Sequence, residues 1–113
     1  MQPLSLTKYA AYIQEKAGFS LIEWDNAFIT YNISGDNCFI GDLWVDADYR
    51  REKIAWKLAD HLSEIAKNNG CKRLTSTAMT NSNGIEAALM TQFAYGFRII
   101  GSDNEKIYLS KEL

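Results

Sequence analysis

One segment limits the folds open to this chain more than any other: NCFIGDLWVDADYRREKIAWKLADHLSEIAKNN, residues 37 to 69. Within it the apolar period changes from two to about 3.6. Cys38 to Asp46 reads as a strand, with Phe39, Gly41, Leu43 and Val45 on one face and Ile40, Asp42, Trp44 and Asp46 on the other. Apolar residues on both faces suit an interior strand covered from two sides. The charged run Asp48-Tyr49-Arg50-Arg51-Glu52-Lys53 ends the alternation. From there Ile54, Leu58, Leu62 and Ile65 form one stripe of a helix, flanked by Ala55, Ala59 and Ala66, which let it approach a sheet closely. Asn68-Asn69-Gly70 ends that helix, with the glycine at C′.

A strand that turns through a short loop into a helix aims the helix's first unpaired N–H groups, and the positive end of its dipole, at one point in space. Anions collect at such points, and Arg50, Arg51 and Lys53 add charge there. On the loop alone two readings stand: a phosphate site, or a basic loop that merely starts a helix.

The 113 residues predict a single domain spanning 1–113, and an apolar content of 47% is enough for a packed core. A net charge of −2 argues against a general nucleic-acid binder, which needs a basic face. No apolar run approaches the ~20 residues of a membrane span and no signal peptide opens the chain, so no membrane partner is expected. Cys38 and Cys71 read as reduced thiols, too few for a zinc site, and no metal is expected. The expected compartment is the cytoplasm, or a host's cytoplasm if the chain is viral.

Residues 5 to 18 predict a first helix, capped by Ser5, with Leu6, Tyr9, Ile13 and Ala17 buried and Gly18 at its end. Strands follow at Ser20 to Trp24 and Ala27 to Ile33, joined by the turn Asp25-Asn26. Trp24, Phe28 and Tyr31 read as sheet filling, with a base-stacking platform as the alternative. Beyond the long helix, Lys72 to Met79 alternates as a strand, with Leu74, Ser76 and Ala78 on one face. After a polar loop comes a helix striped by Ile85, Leu89 and Phe93, with Ala88 beside it and Gly96 at its end. Phe97 to Ile100 and Lys106 to Ser110 complete a hairpin. The order is α-β-β-β-α-β-α-β-β: a meander of three antiparallel strands, then a crossover that makes the strands before and after the long helix parallel neighbours.

This order, with two local patterns, resembles the GNAT superfamily of acyl-CoA-dependent N-acetyltransferases. The family's Arg/Gln-x-x-Gly-x-Gly/Ala motif, set between a central strand and a helix, is matched by Arg50-Arg51-Glu52-Lys53-Ile54-Ala55. It follows Leu43-Trp44-Val45-Asp46, which is similar to the family's leucine-aromatic-valine strand end. The run Ala88 to Phe97, closing in Gly96-Phe97, is similar to the second signature. The resemblance covers about residues 19 to 113. It implies an α+β three-layer fold: a mixed, mostly antiparallel central sheet with a V-shaped splay and helices on both faces, lacking the family's N-terminal strand and one helix.

It also implies acetyl-CoA as cosubstrate and an amine acceptor. The backbones of Leu43 and Val45 would pair with the pantetheine arm. Arg50 and the amides from Arg51 through Lys53 and Ile54 to Ala55 would hold the pyrophosphate, and Asn83 would reach the same arm. The amine would attack the thioester directly, which calls for a proton acceptor and for stabilisation of the leaving thiolate.

The chain departs from the pattern at three positions. Lys53 stands at the first motif glycine, where a side chain crowds the pyrophosphate unless its charge substitutes. Gln92, four residues before Gly96, replaces a frequent tyrosine acid and cannot donate a proton in that way. Tyr95 projects about 300° around the helix from it. Gly41 lies where many members carry a glutamate base; Asp42, Asp46 and Glu23 are the nearby carboxylates. His61, beside Leu62, reads as a rim residue. Two functions therefore remain open: a small N-acetyltransferase, or an inactive GNAT-like fold that binds a protein partner, for example in phage assembly. The exposed sheet edge near Ser20 to Trp24 would favour a homodimer.

Overall fold

The computed structural model describes residues 8, 10–15, 18–50 and 53–113. Residues 10–15 are helical (α1) and precede three strands, β1 (Ser20–Trp24), β2 (Ala27–Ser34) and β3 (Asn37–Val45). A short 3-10 turn, Ala47–Tyr49, leads to the long helix α2 (Ile54–Asn68). Then come β4 (Arg73–Met79), α3 (Ile85–Tyr95), β5 (Arg98–Ser102) and β6 (Lys106–Glu112). This is the expected order, in a six-stranded sheet arranged β1-β2-β3-β4-β6-β5. Every pairing is antiparallel except β3 with β4. No helix among the described residues is long and apolar enough to cross a membrane. The expected Ser5 cap and the buried Leu6, Tyr9 and Ala17 lie outside the described residues; Ile13 is buried as expected.

The period-3.6 stripe seats α2. Its buried residues are Ile54, Leu58, Ala59, Leu62, Ser63 and Ala66, set against Ala27 and Ile29 of β2, Cys38 of β3 and Leu74 of β4. Ile65, expected in the stripe, is only half-buried; Ala66 takes the inner position. The helix α3 lies on the same face, since Gln92 meets Ser76 of β4 and Tyr95 meets Asp60 of α2. On the opposite face, Gly18 accepts a bond from Asn32 Nδ2 (2.7 Å) and Phe19 packs against Phe39, with ring centroids 6.2 Å apart. The segment that follows α1 therefore covers the opposite face.

The face assignment of β3 needs correction. Ile29 pairs with Leu43 but Tyr31 pairs with Ile40, so Gly41 and Asp42 both stand opposite Thr30 in a β-bulge. The bulge resets the alternation. Leu43 and Val45 share the helix-covered face with Ile40, not with Phe39, while Trp44 stacks on Phe28 (5.9 Å) on the other face. The Thr30 hydroxyl oxygen accepts the Asp42 N–H at 2.8 Å and holds the bulge. A period-two pattern carries no mark of an inserted residue, which is why the sequence reading carried the faces straight through.

The second feature that positions a site is the short β3–β4 ladder. It runs only from Asn37↔Arg73 to Phe39↔Thr75. Beyond Phe39, β3 continues along β2 to Val45 and β4 continues along β6 to Met79, unpaired with each other. The sheet opens there as a V.

Candidate functional site

The unpaired end of β3 forms one wall of the opening. Asp46 N–H donates to Asn26 O (2.8 Å), so the strand's alternation turns the N–H and C=O of Val45, and of Leu43 two residues back, into the gap. Arg50 Nε donates to Val45 O at 3.0 Å, which fixes its guanidinium at the mouth. Asp46 is not strand but caps the 3-10 turn, accepting the Asp48 N–H.

The N-terminus of α2 faces that mouth. Its N-cap, Lys53, offers no side-chain cap, and no acidic residue sits in the first turn. The first backbone bond into the helix is Lys57 N–H to Lys53 O, so the N–H groups of Ile54, Ala55 and Trp56 have no intrahelical acceptor. Lys53 itself has φ +62°, and among the described residues it is the one non-glycine with positive φ. The motif position thus keeps the backbone a glycine would adopt, at a cost of about 1–2 kcal/mol for a residue with a β-carbon. Its ammonium lies 5.6 Å from the Trp56 ring centroid.

Two adjoining cavities fill the opening. One, of about 470 Å³, is lined by Tyr49, Arg50, Lys53 and Ile54 together with Met90 and Ala94 of α3. The other, of about 590 Å³, lies over the splay and is lined by Leu43 and Val45, by Ser76 and Thr77 of β4, and by Ala88 and Gln92 of α3. Val45, Arg50, Ala55, Trp56 and Thr91 line both. The structure therefore brings together Leu43, Val45, Arg50, Lys53, Ile54 and Ala55. Arg51 lies outside the described residues. Asn83 sits exposed in the turn before α3 and lines neither cavity.

The catalytic candidates are placed differently. Tyr95 lines the larger cavity, but its hydroxyl donates to Asp60 Oδ1 at 2.5 Å. Burial, and then that bond, push its pKa up to about 12. Asp42 and Glu23 are exposed and line neither cavity. Glu23 pairs across β1–β2 with Phe28, on the face away from α2. A β-carbon on Gly41 would stand 2.6 Å from Thr30 Oγ1 and 2.9 Å from the Phe19 ring, so this position has no room for a carboxylate side chain. Gln92 reaches the cavity and accepts the Ser76 hydroxyl at 2.5 Å. His61 lies on the exposed rim of α2, 6.1 Å from the Trp24 ring. Among the described residues, no group of three or more His, Cys, Asp or Glu could hold a metal.

Trp56 and Ser76 are cavity residues the sequence reading passed over. Trp56 links Lys53 to Tyr95, with the two rings 6.1 Å apart. The spacing of Lys53 and Trp56, three apart in a first helical turn, was the available signal. For Ser76 it was a hydroxyl between Leu74 and Ala78 on a buried face, which needs a partner.

The sequence profile of the acetyltransferase (GNAT) family matches residues 3–95, and the chain belongs to that family. Solved structures share the fold. PaiA N-acetyltransferase from Thermoplasma acidophilum, solved with coenzyme A, has a TM-score of 0.73 at 15% identity, covering 89% of this chain and 66% of its own. A GNAT family acetyltransferase from Elizabethkingia anophelis, solved with acetyl-CoA bound, also has a TM-score of 0.73 at 17% identity, covering 96% and 82%. An anti-CRISPR protein has a TM-score of 0.66 at 20% identity, covering 80% of this chain and 96% of its own. No curated protein sequence aligns significantly with the chain.

Proposed function

We propose that this protein is an N-acetyltransferase that takes acetyl-CoA as cosubstrate and an amine as acceptor. The observation that carries this is the splay between β3 and β4, opening directly onto the uncapped N-terminus of α2. Leu43 offers both backbone groups and Val45 its N–H to an extended, amide-bearing arm, as an added strand would be held. The Ile54, Ala55 and Trp56 amides, with Arg50 and Lys53, suit a pyrophosphate; Lys53 contributes charge where a glycine would have contributed space. Arg51 joins this set by its place in the motif. Acetyl-CoA supplies an acetyl group already activated as a thioester.

The chain's own part is to hold that carbonyl beside Ser76 and Gln92, whose amide can donate a hydrogen bond but not a proton. As the amine nitrogen bonds to the acetyl carbon and the carbon–sulfur bond breaks, coenzyme A leaves as the thiolate with the bond's electron pair, and the amine's proton passes to water at the open mouth.

Calorimetry tests the reading. Acetyl-CoA should bind with micromolar affinity, and Arg50→Glu should weaken it by more than about 2 kcal/mol, since a charge reversal faces the phosphates. If the wild type takes up no acetyl-CoA, the reading fails. A second reading, a family fold acting through protein contacts without turnover, is favoured by the packed Gly41 and by Gln92. It predicts that no thiol is released from bound acetyl-CoA across a panel of amines.

A further inference from the structure

Two cations stand at the mouth of the cleft, and the fold holds each by a different group. Arg50 is fixed through Nε, which donates to Val45 O at 3.0 Å. The Lys53 ammonium instead lies over the Trp56 ring, 5.6 Å from its centroid, within the reach of a cation–π contact. The ion pairs among the described residues are Lys67–Glu64 and Arg73–Asp36, and neither includes Lys53. The first turn of α2 carries no acidic residue. The charge is therefore seated on a ring face and neutralised by no carboxylate among the described residues, which leaves it for an anion.

The ring is itself held in advance. Trp56 is half-buried and lies one turn before Asp60 on α2. Tyr95 of α3 meets both: its ring packs against the indole at 6.1 Å, and its hydroxyl donates to Asp60. Phe97 stacks on Tyr95 at 6.2 Å, and Lys111 Nζ of β6 lies 5.3 Å from the same ring. Trp56 lines both cavities, so this braced indole stands where they meet.

Lys53 takes the left-handed backbone of the glycine it replaces, with φ +62°, but it keeps a long side chain. An ammonium on a flexible four-carbon stem loses rotamer freedom when it fixes on a phosphate. A ring that holds it beforehand removes part of that loss at the moment of binding. The ammonium has three donors, and those turned away from the ring remain for phosphate oxygens.

We propose that Trp56 is a positioning residue for the pyrophosphate of acetyl-CoA: it holds the Lys53 ammonium at the cleft mouth, so that in this chain a fixed charge takes the place of the motif glycine. The inference rests on the acetyl-CoA reading and adds to it a residue that acts through Lys53.

Coenzyme A titrated by calorimetry into the wild type, Lys53→Met, Trp56→Leu and the double variant tests this. Lys53→Met keeps the stem and removes the charge, and should weaken binding about 10-fold. Trp56→Leu should weaken it about 5-fold alone and less than about 2-fold in the Lys53→Met background. Trp56→Phe, which keeps an aromatic face, should retain most of the affinity. The Trp56→Leu loss should also shrink as salt is raised, because it acts through a charge. An equal loss in both backgrounds, or one indifferent to salt, means that the indole only packs against the ligand, and the inference fails. A measurement on the unsubstituted protein guards against misfolded variants. The ε-methylene protons of Lys53 should resonate upfield of those of the other lysines, through the ring current of the indole; unshifted protons overturn the inference as well. A wild type that binds no coenzyme A removes the acetyl-CoA reading and this role together, whereas binding with an additive cycle removes this role alone.

Discussion

The helices α2 and α3 lie side by side on one face of the sheet and wall the same cleft, yet the chain builds them in opposite ways. Six residues of α2 are buried, spaced so that one stripe meets the sheet. None of α3 is buried, although it is the more apolar of the two. Apolar content alone does not seat a helix; separation of apolar from polar residues does. In α2 the polar residues mark which side faces water. In α3 apolar residues occur all round: Ile85 and Leu89 pack half-buried against the core, and two polar contacts, Ser76 to Gln92 and Tyr95 to Asp60, add to their hold. The rigid helix presents its N-terminus to the site, and the lightly held one forms the opposing wall.

The largest expected break in this contrast is Leu62→Ala. It empties a fully buried position under α2 and should cost about 2–5 kcal/mol in urea unfolding. Tyr95→Phe removes the bond that ties α3 to α2 and should cost about 1 kcal/mol.

A pH titration sharpens the same point. Tyr95 is pushed up to about 12 by burial and then by Asp60, and Cys38 to about 12 from 9.0 by burial and then by Cys71. Both raised values favour the protonated forms in the fold. The stability they contribute is present below the ordinary values and is lost as pH climbs toward 12. The thermal midpoint should hold steady from pH 7 to about 9 and then fall, and Tyr95→Phe should lessen the part of the fall above the ordinary tyrosine value of 10.0.

Lys53→Gly works in the other direction. Relief of the left-handed backbone exceeds the added freedom of the unfolded chain, so a gain of about 0.5–1 kcal/mol is expected. The variant also separates charge from space at the phosphate end: weaker acetyl-CoA binding in calorimetry shows that the ammonium matters more than the room a glycine provides. Phe93→Ala should change stability by less than about 0.5 kcal/mol, as an exposed residue does. A loss as large as that of Leu62→Ala would mean that α3 is seated after all.

The order of elements, the long α2 stripe and the basic turn at its start were legible because each is a local pattern. Repeating apolar spacing and a terminal glycine leave their mark in neighbouring residues. The second stripe was misread at Phe93, which is exposed while Gln92 turns inward. A helix apolar on every side gives periodicity nothing to choose between. The faces of β3 were misread beyond Gly41 for a related reason: a bulge forms only against a partner strand.

By itself the sequence determined where strands and helices lie and that a basic turn starts α2, since propensity and patterning act within a few residues. Only the tertiary structure decided that β3 and β4 part after Phe39, that Lys53 takes a glycine's backbone, and that Thr30 and Phe19 fill the space above Gly41. These depend on contacts between segments far apart in the chain, whose free energy exists only once the sheet has brought them together.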